Sequence, residues 1–278
     1  MISKKDVQAF GEKHRILRQD NAFIYILPHP KLRAHIAVYT ISFPTSAFIS
    51  DKTTILPYGN AGLVVEYSRK NLTAHLYGAA TKPCLIYTPS EMIVTVDFKP
   101  AGLYLLLSVN QNELTDKILS FEEVSSALNK RIFEMIEKAN CIAELVADLD
   151  TLFLENMHGS YPTQLNMAIN HVMDYSGMIT VKKLANDIHY SERHLSRIFQ
   201  QYVGTGVKTF ARLVRMNAAC LMLQNFENSI EVVSELAGFQ DPSHFVRDFE
   251  LLSGISPKTY RANMSDFHNE IATSLPYN

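Results

Sequence analysis

The sequence predicts a two-domain α+β protein, in which a β-rich barrel or sandwich with helices precedes an all-α domain of tandem helix-turn-helix units. Three patterns support this prediction. The first ~100 residues alternate short apolar runs with turns containing Pro and Gly, as all-β domains do. After Phe121, apolar residues recur at steps of three and four, which is the helical period. Residues 191–210 also match residues 241–260 in residue type, which indicates a repeated unit.

Composition excludes several classes of protein. Apolar residues make up 47% and charged residues 19% of the 278, a mix that rules out a wholly disordered chain. The longest apolar stretch, residues 101–109, is far shorter than the roughly 20 residues of a membrane-spanning helix. No secretory signal opens the chain, and three scattered cysteines form neither a disulfide framework nor a metal-binding spacing. We therefore expect a cytoplasmic protein without membrane contact.

The elements follow in order along the chain. Residues rich in Ile, Val, Tyr, Phe and Thr predict strands at 22–27, 32–43, 62–67, 72–77, 84–87 and 92–98. Pro100 favours a helix over 103–109, with a further strand as the alternative. Helical stripes then run through Val124, Leu128, Ile132 and Met135, and through Ile142, Leu145, Leu149 and Leu152.

The second stripe has two interpretations. Its steps of three and four resemble a coiled-coil seam, which predicts a homodimer, but the same helix could cover its own β domain. The pattern breaks at 156–162, where Gly and Pro interrupt it. We place the domain boundary there, giving a β-rich sensor or dimerisation domain at 1–157 and a DNA-binding domain at 163–264.

Each copy of the repeat reads as a helix-turn-helix. A short helix, at 181–188 and again at 230–236, precedes an aromatic residue, an N-cap and a second helix. Ser191 and Asp241 are the predicted N-caps. The second copy has one extra residue in its turn. Gly238 supplies the expected positive φ in that turn, where the first copy has His189.

These residues resemble the DNA-binding domain of the AraC/XylS family of bacterial transcription regulators. The resemblance rests on Tyr190-Ser-Glu-Arg-His-Leu-Ser-Arg-Ile-Phe199 with Gly204, and on Gly238-Phe-Gln-Asp-Pro-Ser-His-Phe-Val-Arg-Asp-Phe249 with Gly254-Ile-Ser-Pro257. It implies seven helices, with two helix-turn-helix units joined by a linker helix at 207–223. The segment Phe98-Lys-Pro-Ala-Gly102 more weakly resembles the β-rich domain that precedes this module in many regulators.

The resemblance also implies base-reading positions. In the first unit they are Arg193, Ser196 and Arg197, and arginine can bind the edge of guanine with two hydrogen bonds. The alternative is that these arginines touch only phosphate or pair with Glu192. The matching positions of the second unit are Pro242, Ser243, Val246 and Arg247.

The second unit departs from the family pattern. Val246 offers only an apolar contact to a thymine methyl group, and Glu250 stands where the family usually has Lys, so we expect the second unit to read less. Arg247 has a structural alternative, because acidic residues lie close to it in sequence. Three lysines near helix starts, Lys182, Lys183 and Lys258, are phosphate candidates.

The remaining basic and histidine residues have simpler expected roles. Lys208, Arg212 and Arg215 are expected on a solvated face of the linker helix, although Arg215 is a candidate brace between the units. His194 and His244 follow the N-caps and are expected to pack in the turns rather than to bind metal.

No catalytic, cofactor or metal site is predicted in the β-rich domain. His29, His35 and His75 are isolated, and nothing near Cys84 would activate its thiol. The sequence therefore predicts a sequence-specific transcription regulator that binds double-stranded DNA and responds to an unknown small-molecule effector. RNA polymerase is a partner if the protein is an activator. A ligand-independent co-regulator and an enzyme on the β domain remain alternatives.

Overall fold

The computed structural model describes residues 2–44, 53–57, 59–68, 71–86 and 90–262, with backbone alone at 53–55 and 84–86. Nine strands lie in the N-terminal part of this range. They are β1 (Ile16–Gln19), β2 (Phe23–Ile26), β3 (Ile36–Ser42), β4 (Thr53–Ile55), β5 (Gly62–Ser68), β6 (Asn71–Tyr77), β7 (Cys84–Ile86), β8 (Met92–Phe98) and β9 (Ile118–Ser120).

The described strands form two antiparallel sheets. The larger has seven strands in the order β1-β2-β3-β8-β5-β6-β9, and the smaller pairs β4 with β7. This arrangement and the helical C-terminal part confirm the predicted α+β fold class. The prediction at 32–43 began too early, since Pro30–Leu32 forms a 3₁₀ turn capped by the His29 side chain, and β3 starts only at Ile36. The strands β1, β4 and β9 were not predicted.

Helices accompany the sheet. They are α1 (Asp6–Ala9), α2 (Gly102–Leu107), α3 (Phe121–Val124), α4 (Ser126–Lys138) and α5 (Ile142–Asn156). The segment after Pro100 is thus a helix, as predicted, rather than a strand. Gly102 is required where α2 begins, because a Cβ there would overlap the carbonyl oxygen of His35.

The core of the N-terminal part lies between one face of the large sheet and helices α4 and α5. Alternate residues of β8 point into it, and the stripe of α5 meets them. Leu149 is 1% exposed and its three stripe neighbours are equally enclosed. Helix α5 packs this apolar face against its own sheet. The prediction of an intermolecular seam is therefore wrong for these side chains. A homodimer through another surface stays a prediction.

A buried ion pair fixes α5 to the sheet. Asp150 accepts hydrogen bonds from Arg15 Nη2 at 2.7 Å, from the backbone N–H of His29 at 2.8 Å and from the Tyr39 hydroxyl at 3.1 Å. Burial, together with the charge of Asp150, raises the pKa of Tyr39, so this hydroxyl remains a donor at neutral pH.

Seven helices make up the described C-terminal part, as the resemblance implied. They are α6 (Thr163–Asp174), α7 (Val181–Asp187), α8 (Glu192–Val203), α9 (Val207–Gln224), α10 (Ile230–Leu236), α11 (Pro242–Ser253) and α12 (Pro257–Ala262). Helix α9 is the linker. Its Phe210 and Val214 belong to the first unit's core and its Leu213 and Met216 to the second's.

The two parts touch through the C-terminal end of α8. The Thr115 hydroxyl donates to the carbonyl of Gly204 at 2.6 Å, and the rings of Tyr104 and Tyr202 meet edge to face at 4.6 Å. Leu56, from the β-rich part, joins the core of the second unit. The exact division between domains at 157–163 stays a prediction. No helix within the described ranges is long and apolar enough to cross a membrane.

Candidate nucleic-acid interface

The first helix-turn-helix consists of α7 and α8, joined by residues 188–191. His189 has φ 58°, the left-handed value predicted for this turn. The Ser191 hydroxyl accepts a hydrogen bond from the backbone N–H of His194 at 3.2 Å, which satisfies one of the free donors at the start of α8. The predicted turn and N-cap are both confirmed.

The second helix-turn-helix consists of α10 and α11, joined by residues 237–241. Gly238 has φ 71°, and the Asp241 carboxylate accepts from the backbone N–H of His244 at 2.8 Å. Pro242 occupies the first turn of α11, where its missing N–H costs nothing. The connection is one residue longer than in the first unit, as the repeat predicted.

The two histidines pack in the turns. His194 lies edge-on to Tyr190 with ring centroids 4.5 Å apart, and His244 lies edge-on to Phe239 at 5.5 Å. Within the described residues, no group of three or more His, Cys, Asp or Glu is placed to hold a metal ion.

Helix α8 turns its basic residues outward. Leu195 and Phe199 are fully buried in the first unit, whereas Arg193 and Arg197 are exposed and Ser196 is half-buried. Arg197 Nη2 lies 3.1 Å from His194 Nδ1. The structure therefore brings the three predicted positions of the first unit onto one accessible face. Neither arginine forms an ion pair with Glu192 among the described residues.

Helix α11 presents the corresponding face of the second unit, with fewer basic residues. Ser243 and Arg247 are exposed and Val246 is half-buried, while Phe245 and Phe249 fill the core of the second unit. Arg247 Nε donates to the Ser243 carbonyl at 3.3 Å. Glu250 is exposed on the same helix and adds a negative charge.

The predicted phosphate contacts lie at helix starts. Lys182 is exposed in the first turn of α7, which Thr180 caps, and Lys258 is exposed in the first turn of α12. The neighbouring Lys183 instead stands over the Tyr175 ring, 4.5 Å from its centroid. Lysines in the first turn of a helix lie beside free backbone N–H groups, which also attract phosphate.

The solvated linker face was predicted wrongly for Arg212, whereas the contacts of Arg215 favour its alternative role as a brace between the units. Lys208 is exposed, but Arg212 binds Asp248 of α11, with Nε 2.8 Å and Nη2 2.6 Å from one carboxylate oxygen. Arg215 places its guanidinium 4.3 Å from the centroid of Phe239. Burial lowers the pKa of Arg215, and the charge of Asp248 opposes this.

Sequence reasoning missed Asp248 as the partner of these arginines. One signal was present. Asp248 matches Ile198 in the repeat, so a carboxylate replaces a residue that is buried in the first unit. A charge at a core-facing position requires a partner, and the basic residues of the linker are the available ones.

Comparison with known proteins gives two family matches. A helix-turn-helix domain family matches residues 184–263, and a domain of unknown function, DUF6597, matches residues 25–120. An uncharacterized HTH-type transcriptional regulator of Bacillus subtilis, YisR, is 33% identical over 91 residues, covering 33% of this chain and 32% of that protein. The arabinose operon regulatory protein of Escherichia coli is 26% identical over 123 residues, covering 44% and 42%. The chain thus spans less than half the length of these curated relatives.

Two solved structures are also similar to this chain. The C-terminal domain of AraT from Geobacillus stearothermophilus is 24% identical with a TM-score of 0.35, covering 37% of this chain and 88% of that one. ToxT from Vibrio cholerae O395 is 12% identical with a TM-score of 0.40, covering 82% and 92%. The sequence matches fall on the tandem helix-turn-helix geometry described above, and the C-terminal part of this chain is therefore a helix-turn-helix domain of the AraC/XylS type.

Proposed function

We propose that this protein is a transcription regulator that recognises a specific sequence in double-stranded DNA. The observation that carries the proposal is the pair of N-capped helices, α8 and α11, each of which buries one stripe in its own unit and turns polar residues outward. An exposed helix of this kind, following a tight turn, fits the major groove.

Each predicted residue has a role in this proposal. Arg193 and Arg197 bind guanine edges, and Ser196 contacts a neighbouring base. In the second unit, Val246 packs on a thymine methyl group, with Ser243 and Arg247 beside it. Lys182 and Lys258 hold phosphates and set the register of the protein on the duplex.

The N-terminal part is proposed to sense a small molecule. On the sheet face opposite the core, Thr40 Oγ1 is buried without a hydrogen-bond partner among the described residues. Asp97 lies on the same face, diagonal to Thr40 across the β3–β8 pair. Burial raises the pKa of the Asp97 carboxyl to about 7, although the residue is partly exposed. Gly62 pairs with Asp97 and adds no side chain above it. Enclosed polar groups without partners are typical of binding sites.

The contact between the two parts offers a route from sensor to DNA. Thr115 and Tyr104 of the N-terminal part hold the end of α8 through Gly204 and Tyr202. A change of shape at α2 or at the segment before β9 would therefore act on the helix that carries Arg193 and Arg197.

Other parts of the proposal have less support. RNA polymerase is the further partner if the protein activates transcription, and a homodimer would need a surface other than the stripe of α5. A cytoplasmic location and the absence of enzymatic activity follow from a regulatory role. A ligand-independent co-regulator is the second candidate.

Selection from a pool of random duplexes tests the proposal. The full chain should enrich one sequence motif, and its affinity for that motif should fall linearly with the logarithm of salt concentration as phosphate contacts are lost. The variant Arg193→Ala/Arg197→Ala should enrich no motif while retaining its helical circular dichroism. Equal affinity of the unmodified protein for all duplexes at ~0.15 M salt would refute sequence-specific recognition.

A further inference from the structure

The two helix-turn-helix units differ in how the second helix of each is held. In the first unit, Ile198 of α8 is 3% exposed and packs into an apolar core. Its repeat partner in α11 is Asp248, which is half-buried and hydrogen-bonded to Arg212 of the linker helix α9. An apolar contact tolerates small rotations, whereas a charge-assisted hydrogen bond has a preferred direction.

The ion pair lies where the two units meet. Arg215, one turn after Arg212, places its guanidinium over Phe239 in the turn of the second unit, and one of its nitrogens is 4.0 Å from Asp248. Its backbone lies against Gly177 of the first unit, where an added Cβ would come within 2.8 Å of the Arg215 nitrogen. The linker at this point contacts both units.

A second contact joins the units directly. An added Cβ at Gly238 would come within 2.6 Å of Met178 Sδ, so the turn of the second unit packs on the loop between α6 and α7. Gly238 and Phe239 are neighbours. The turn that introduces α11 is therefore held from one side by Met178 and from the other by Arg215.

We propose that Asp248 is a positioning residue that sets the orientation of α11 relative to the linker, and with it the distance between the two DNA-reading helices. The proposal rests on the proposed function and goes beyond it, because it assigns the discrimination of half-site spacing to a side chain that does not contact DNA. Without Asp248, Arg212 and Arg215 would be neighbouring cations with no acidic partner among the described residues, and α11 would lose its directional tie.

The charge of Asp248 requires a control. Removing any carboxylate near the DNA weakens phosphate repulsion and raises affinity for all sequences. Glu250 lies two residues away on the same helix, is exposed, and has no ion pair among the described residues. Glu250→Gln therefore removes one negative charge without disturbing the ion pair between Asp248 and Arg212. It is the matched control for Asp248→Asn.

The experiment uses the full chain and the duplex that it selects from a random pool. Affinity is measured for this duplex, for versions with one base pair inserted or deleted between the two halves, and for a duplex that keeps only the first half. Asp248→Asn should reduce the discrimination between native and altered spacing by about tenfold, the lower end of what a charge-assisted hydrogen bond contributes. Binding to the first half alone should stay within about twofold of the unmodified protein.

Three further variants complete the test. Glu250→Gln should keep the spacing preference and bind every duplex somewhat more tightly. Arg212→Gln should reproduce the loss of discrimination from the other side of the pair, which keeps the proposal testable if Asp248→Asn fails to fold. Asp248→Glu should restore part of the spacing preference, which a general loss of stability would not predict.

The outcomes separate this inference from the proposed function. If the unmodified protein selects no motif, the proposed function fails. If it selects a motif of two halves and Asp248→Asn and Arg212→Gln keep the full spacing preference, the inference alone is overturned. A selected motif with only one specified half, or identical behaviour of Asp248→Asn and Glu250→Gln, would also overturn it.

Discussion

Loss of Arg197 should weaken DNA binding far more than loss of Val246, although both lie at predicted base-reading positions of their units. Arg197 is exposed, and its described side-chain partner is the ring of His194 at 3.1 Å, so its guanidinium is free to reach the groove. Replacing it with Ala removes little from the folded protein. The change in affinity should therefore report the contact with DNA.

The magnitudes follow from the chemistry of the two side chains. A bidentate contact from arginine to guanine discriminates by about 1–3 kcal/mol, which is roughly 5- to 150-fold in Kd. Val246→Ala removes two methyl groups at about 0.8 kcal/mol each when newly buried. Because Val246 is already half-buried in the free protein, its loss should cost at most about 1 kcal/mol.

Fluorescence anisotropy with the selected duplex measures both effects at one salt concentration. Arg197→Ala should also flatten the preference at one base position, which single base-pair substitutions in the duplex would reveal. Lys208→Ala is the control for a lost positive charge, since Lys208 is exposed on the linker helix away from the base-reading positions. Equal losses for Arg197→Ala and Val246→Ala, or an unchanged base preference in Arg197→Ala, would refute the unequal division of reading.

Three other predictions concern the N-terminal part and its contact with α8. Leu149→Glu places a carboxylate in the core and should abolish the β structure of this part, which circular dichroism measures. A variant that stays folded as a monomer would contradict this result and favour the intermolecular seam. Because burial raises the pKa of Asp97 from 3.8 to about 7, the native state holds this proton more tightly than the unfolded state does. The free energy of unfolding in urea should therefore fall as the pH rises from about 4 to about 7, by up to about 1.4 kcal/mol per pH unit, and Asp97→Asn should remove that slope. Thr115→Val should weaken the tie to Gly204 by about 1 kcal/mol and speed hydrogen exchange at the end of α8; unchanged exchange would contradict it.

The helix-turn-helix units could be predicted from the sequence because local rules determine them. Ser191 and Asp241 cap the helices that they precede, and His189 and Gly238 adopt the left-handed conformation that the turns require. Each of these features depends on a few consecutive residues. The repeat then confirmed the assignment within the sequence itself, since independent errors would not recur at the same spacing.

Features that depend on distant partners were harder to predict. The edge strands β1 and β9 are three or four residues long and carry little apolar alternation, so only their pairing with β2 and β6 defines them. The stripe of α5 indicates an apolar face but not what covers it. Asp248 and Arg212 are 36 residues apart, and their contact exists only because α9 and α11 cross.

The two DNA-reading helices are therefore held by different partners, which gives the units different tasks. The end of α8 is tied to the N-terminal part through Thr115 and Tyr104, whereas Leu56 of the same part reaches the second unit through its apolar core, so a ligand bound to the N-terminal part would act on α8 through a hydrogen bond and a ring contact. Helix α11 is tied to the linker through the ion pair between Asp248 and Arg212. Under the proposed function, an effector would change what the first unit reads, while the ion pair between Asp248 and Arg212 would preserve the distance between α8 and α11.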